Sequence, residues 1–111
     1  MDSSDAVTAL SALAQASRLA VFRHLVEVGH QGAHPSDIAH RLEVPANTLS
    51  FHLKALAHAG LIQAEQQGRF IRYRANFGAM QALVGFLTDN CCGGDPGKCA
   101  PAVPASARRT A

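Results

Sequence analysis

The sequence predicts a mainly α domain carrying one small two-stranded antiparallel ribbon. Five segments place apolar residues at helical spacing, at about residues 4–14, 16–28, 36–42, 46–59 and 77–90. Only residues 61–75 switch to a strand-like pattern, broken once by Gly68. With 111 residues and no internal repeat, the chain has room for one domain.

Each element has its own signals. Ser4 is a candidate cap for the first helix, which should run to about Ala14 with Val7, Leu10 and Ala14 as its apolar stripe. The second helix, from about Ala16 to Val28, carries Leu19, Val21, Phe22, Leu25, Val26 and Val28 around most of its girth and should sit in the core. Gly29 is its stop, and Gly29-His30-Gln31-Gly32-Ala33 reads as a loop. Pro35-Ser36 opens a short third helix, with Ser36 as its cap and Ile38, Ala39 and Leu42 inward. Glu43-Val44-Pro45 is a tight connection, with Pro45 suited to the start of a fourth helix that Gly60 ends. Two short helices joined by a three-residue turn form a helix-turn-helix.

After Gly60 come two strand candidates, Leu61–Gln66 and Arg69–Ala75, with Gln67-Gly68 as the turn. Arg69, Arg72 and Arg74 alternate with Phe70, Ile71 and Tyr73, which predicts a wing with its arginines on one side. Phe77, Met80, Leu83, Val84 and Leu87 stripe a last helix that ends near Asn90. The expected architecture is therefore a winged helix-turn-helix in residues 1–90, ordered helix, helix, helix, helix, strand, strand, helix. Residues 91–111, with six Gly or Pro, read as a flexible tail.

The net charge of +2 says little, but its distribution says more. Between Pro45 and Ala75 four cations, Lys54, Arg69, Arg72 and Arg74, stand against Glu65 alone. A local basic surface suits a polyanion, although a charged face can also be merely solvated. On the fourth helix Leu49, Leu53 and Leu56 repeat along one face; Asn47, Phe51, Lys54 and His58 lie opposite, with Thr48, Ser50 and His52 on the flanks. Such a hydrogen-bonding, weakly basic surface is what a major-groove helix presents.

All three cysteines, Cys91, Cys92 and Cys99, fall within nine residues. An odd count without a secretory leader or a long apolar run points to reduced thiols in the cytoplasm and away from a membrane span. No nucleophile–base pair, phosphate-cradling glycine loop or paired carboxylates stand out, so an enzyme is not expected. The six histidines show no metal-ligand spacing and read as surface or duplex-facing side chains.

Four phrases carry a family resemblance: Ala12-Leu13-Ala14-Gln15-Ala16-Ser17-Arg18-Leu19, Asn47-Thr48-Leu49-Ser50-Phe51-His52-Leu53-Lys54-Ala55-Leu56, His58-Ala59-Gly60-Leu61-Ile62 and Gly68-Arg69-Phe70-Ile71-Arg72-Tyr73. Over about residues 8–90 the chain resembles the ArsR family of winged-helix metalloregulatory repressors. The resemblance implies a homodimer built on the first and last helices. It also implies that Asn47, Thr48, Ser50, Phe51, His52 and Lys54 face double-stranded operator DNA, with the Arg69–Arg72 wing beside the backbone or minor groove. No cofactor is implied for DNA binding itself.

Members of that family sense different ions at different places. Many arsenic-responsive members carry cysteines on the first helix of the helix-turn-helix, where this chain has Ser36-Asp37-Ile38-Ala39-His40-Arg41-Leu42. Zinc-responsive members carry Asp, His and Glu on the last helix, where this chain has none before Asp89. A subset of arsenic-responsive members has a Cys-Cys pair and a third Cys just beyond the last helix, and Cys91-Cys92…Cys99 is similar to that arrangement.

Three thiolates without a neighbouring fourth donor suit a three-coordinate thiophilic centre, so arsenite or antimonite is the expected effector. Zinc or cadmium could complete a fourth position with Asp89, Asp95 or water, and copper(I) also favours soft sulfur. A redox couple between Cys99 and either neighbour is a further alternative, as is an idle tail. Lys98 beside Cys99 would favour its thiolate. A metal-buffering or interaction module is the rival class; in that case Lys54, Arg69 and Arg72 would be dispensable for retention on DNA.

Overall fold

The computed structural model describes residues 1–95 and 97. Its elements are α1 (Ser3–Leu13), α2 (Ala16–Val28), α3 (Pro35–Leu42), α4 (Ala46–His58), β1 (Ile62–Gln67), β2 (Phe70–Ala75) and α5 (Phe77–Thr88). Short 3-10 turns cover Gly29–Gln31 and Cys91–Gly94. The winged helix-turn-helix order expected from the sequence is the order observed. Cys99 and the rest of the expected tail beyond it lie outside the described residues. Among the described residues, no helix is long and apolar enough to cross a membrane.

Several boundaries differ from the sequence reading, each for a local reason. α1 starts two residues earlier than a Ser4 cap would allow, because Asp2 and Asp5 make a reciprocal capping box: Asp5 N donates to Asp2 Oδ1 at 2.8 Å, and Asp2 N donates to Asp5 Oδ2 at 3.3 Å. α3 takes Pro35 at its first turn with His34 as cap, and Ser36 makes no capping bond. Pro45 caps α4 from outside instead of opening it. The hairpin turn is Gly68-Arg69, not Gln67-Gly68, since Gln67 pairs with Phe70 in the ladder and Gly68 supplies the left-handed φ of 61°.

The core is built from Val21, Phe22 and Leu25 of α2, Ile38 of α3, the expected Leu49, Leu53 and Leu56 of α4, and Leu61, Ile62, Ala75 and Leu83. Leu19, expected among them, is 44 % exposed. α1 departs further from expectation. It buries the small Ala6 and Ala9 and turns the larger Val7 and Leu10 outward. Two alanines let α1 lie close to its neighbours, and the stripe read from sequence is the one left in solvent. On α5, Leu83 is buried, whereas Val84 and Leu87 are exposed.

Three junctions fix the geometry. Arg18 closes the α1–α2 corner: its Nε donates to Ala12 O at 2.6 Å, and its backbone N donates to Gln15 Oε1 at 2.7 Å. Asn76 joins three elements. Its Oδ1 accepts from Ala79 N at 3.1 Å to cap α5, its Nδ2 donates to Gly60 O at 2.9 Å, and its backbone N donates to Leu61 O at 2.8 Å. Finally, Ala33 bridges to the outer edge of β2, with Ala33 N to Tyr73 O at 2.8 Å and Tyr73 N to Ala33 O at 2.9 Å. The bridge leaves no room for a side chain beside it: a Cβ on Gly32, whose φ is +70°, would sit 2.5 Å from Tyr73 O.

Candidate nucleic-acid interface and thiol pair

The left-handed Glu43, with φ 55°, ends α3 and turns the chain into α4 within three residues. α4 then buries Leu49, Leu53 and Leu56 and aims its opposite face outward. Asn47, Thr48, Ser50, Phe51 and Lys54 are all exposed, as the sequence reading requires. His52 is only half-exposed, because it falls on the edge of the helix nearer the core stripe. Asn47 Oδ1 accepts from Thr48 N at 3.0 Å, which occupies one side of its amide group. Among the described residues no carboxylate pairs with Lys54 or Arg69.

The wing differs from a ribbon with its three arginines all on one free side. Paired residues in the ladder point the same way, so Arg72 and Arg74 share a face with Phe70, Gln63, Glu65 and Gln67. Both are tied down there. Arg74 Nη2 donates to Glu65 Oε2 at 2.8 Å. Arg72 donates from Nε to Gln67 Oε1 at 3.1 Å and from Nη1 to Gln31 O at 2.6 Å, and its Nη2 lies 3.4 Å from His34 Nε2. Arg72 thus joins β1, the turn after α2 and the cap of α3. Arg69 instead sits in the exposed two-residue turn at the tip.

His34 is a residue the sequence reading left on the surface. Its Nδ1 lies 3.2 Å from Ile71 O, and its ring tilts against Phe70 at 5.8 Å between centroids. His30 similarly meets Phe77 at 4.7 Å. A His directly before Pro at a helix start was the available signal for the first; nothing local to the sequence signals the second. Asn76 was also missed, and the available signal was an Asn directly before an apolar-periodic run, a cap signature.

Beyond α5, Asn90 adopts a left-handed φ of 56°, and the chain enters the Cys91–Gly94 turn with Cys92, Gly93 and Gly94 also at positive φ. The turn brings the two Sγ atoms of Cys91 and Cys92 to 3.6 Å, both exposed. That is a thiol–thiol contact, against about 2.05 Å for a disulfide. Two thiolates bound to one tetrahedral zinc at about 2.3 Å would stand about 3.8 Å apart, so the spacing suits capture of a single soft ion. Asp95 then turns the chain again, accepting from Gly97 N at 2.9 Å. Cys99 lies outside the described residues. Among the described residues no third His, Cys, Asp or Glu joins the pair in a group able to hold a metal.

The helix-turn-helix domain family matches residues 13–63. No curated protein sequence is a significant match to the chain. Among solved structures, the chain is similar to an ArsR-like transcriptional regulator from Rhodococcus sp. RHA1, at 28 % identity over 76 % of each chain with a TM-score of 0.68. It is similar to HlyU from Vibrio cholerae, at 26 % identity over 81 % of this chain and 95 % of that one, TM-score 0.65. It also resembles the homodimeric winged helix-turn-helix DNA-binding domain of a possible ArsR-family transcriptional regulator from Mycobacterium bovis, at 28 % identity over 78 % and 81 % of the two chains, TM-score 0.61. With a helix-turn-helix whose second helix is turned outward and a wing hung beside it, the chain has the winged helix-turn-helix fold of ArsR-like transcriptional regulators and is not an enzyme.

Proposed function

We propose that the chain is a homodimeric transcriptional repressor that binds operator DNA and is released when trivalent arsenic or antimony is captured by Cys91, Cys92 and Cys99. Residues 1–90 serve as the DNA-binding and dimerisation domain, and residues 91–111 as the thiol-bearing tail. The observation that carries the arsenic reading is the exposed pair of thiols 3.6 Å apart, one turn beyond α5. Two sulfurs at this spacing serve any soft ion. The preference for a pnictogen rests on the third thiol in sequence, since three sulfurs complete a pyramidal centre whose fourth direction is a lone pair.

Dimerisation is supported by the face that α1 and α5 leave open. Val7 and Leu10 on α1 and Val84 and Leu87 on α5 are 41–62 % exposed. Apolar side chains clustered on two packed helices mark a protein interface, and the Mycobacterium bovis domain is itself homodimeric. Two copies would then offer two α4 helices to successive major grooves about one helical turn apart. The thiol turn begins three residues after α5 ends. Ordering the tail around an ion therefore acts on the end of the dimer helix. The ion needs only to favour the subunit spacing that does not fit the duplex over the one that does.

The test titrates arsenite into a complex of the reduced chain with its labelled operator. The expected result is release at stoichiometric arsenite in the wild type, with Cys91→Ser and Cys92→Ser binding DNA normally and no longer responding. Unchanged DNA affinity at saturating arsenite rejects the switch. Release by zinc, cadmium or copper(I) alone, or by oxidant alone, assigns the same thiols to another soft ion or to redox sensing.

A further inference from the structure

Phe51 is the most exposed large apolar side chain among the described residues, at 73 %. It lies in the middle of the outward face of α4, four residues after Asn47 and three before Lys54. An aromatic ring held in water on an otherwise polar helix face adds nothing to this fold, since the core lies on the other side.

The chemistry of its neighbours narrows what the ring can meet. Thr48 and Ser50 hydroxyls bond phosphates as readily as bases, and Lys54 is a mobile point charge. Asn47 has part of its amide engaged by Thr48 N at 3.0 Å. His52 sits toward the core side. Phe70, the other strongly exposed aromatic, meets His34 in a tilted ring contact at the wing. α4 carries no acidic residue, and Lys54 on its outward face has no carboxylate partner among the described residues. A duplex drawn to that surface would meet Phe51 at the groove floor, where the one apolar feature is the C5-methyl group of thymine.

We propose that Phe51 is a specificity-determining residue that packs against the C5-methyl of a thymine in each operator half-site. The inference rests on the DNA-binding reading given above and adds to it the base feature that is read.

The experiment selects binding sites for the full wild-type chain from random-sequence duplexes. Each thymine of the selected half-site is then replaced by deoxyuridine, which removes the methyl alone. Affinities are compared at one salt concentration for the wild type, Phe51→Leu and Phe51→Ala, with circular dichroism confirming that each variant is folded. At one position per half-site, methyl removal should weaken the wild type by about fourfold per methyl, the factor expected for burying one methylene-sized group. Phe51→Ala should bind the thymine site more weakly and be indifferent to the change; Phe51→Leu should keep part of the dependence. The proposal is overturned if the wild type is indifferent at every position, or if Phe51→Ala retains the full methyl effect. If the wild type selects no sequence and shows no salt-dependent binding, the DNA-binding reading itself fails and this inference falls with it.

Discussion

Single residues settle much of this molecule's geometry, and Gly32 is the sharpest case. Its left-handed φ is strained for other residues, and a Cβ there would meet the Tyr73 carbonyl oxygen at 2.5 Å. Gly32→Ala should therefore cost about 2 kcal/mol, the order of backbone strain plus overpacking. Gly29 has a similar φ of 74°, with ψ −154°, but open space around its Cβ direction, so Gly29→Ala should cost about 1 kcal/mol, the backbone strain alone. Thermal melting of the two variants separates steric approach from conformation. Asn76→Ala removes a helix cap and the bond to Gly60 O, and should cost about 1–2 kcal/mol. Phe51→Ala, by contrast, should leave stability within about 0.5 kcal/mol, because the ring contributes no core packing.

At the scale of elements, the wing is where charge and structure part company. Arg72 spans β1, the turn after α2 and the cap of α3, whereas Arg69 stands at the tip. Arg69→Ala should leave melting unchanged and lower the salt slope of DNA binding by about one unit per lost phosphate contact. Arg72→Ala should loosen the wing, seen as faster amide exchange along β2. Arg72→Lys should not restore it, since an ammonium lacks the planar fork that meets three partners. The sequence could not separate these two arginines: both sit in the same short basic run, and the partners of Arg72 at Gln31 and His34 are 41 and 38 residues away. Helix existence was legible because the apolar periods of α2, α3 and α4 are strong. The orientation of α1 was not, because Ala6 and Ala9 are too small to register as a stripe beside Val7 and Leu10. The same size contrast explains why the helix is pressed to the core on its weaker-looking side. The outward face of α4 was fully legible from Leu49, Leu53 and Leu56, except for His52, which a wheel places too near the edge to assign.

For the whole molecule, the open apolar surface on α1 and α5 is the contact of the proposed homodimer. Val84→Glu combined with Leu87→Glu should yield a monomer by sedimentation, because it buries charge in the proposed contact. That monomer should lose most operator affinity while keeping its helical content, since neither side chain belongs to the core. The seam between Ala33 and Tyr73 has a consequence at the same scale. The hairpin is held at its outer edge by this seam and at its base by Asn76, so its tilt is set by two anchors and not by its own turn. Lengthening the 29–31 corner by one residue would strain the outer anchor against the inner one while leaving the hairpin ladder intact, so that a folded protein would carry its tip at a different angle from the proposed duplex surface.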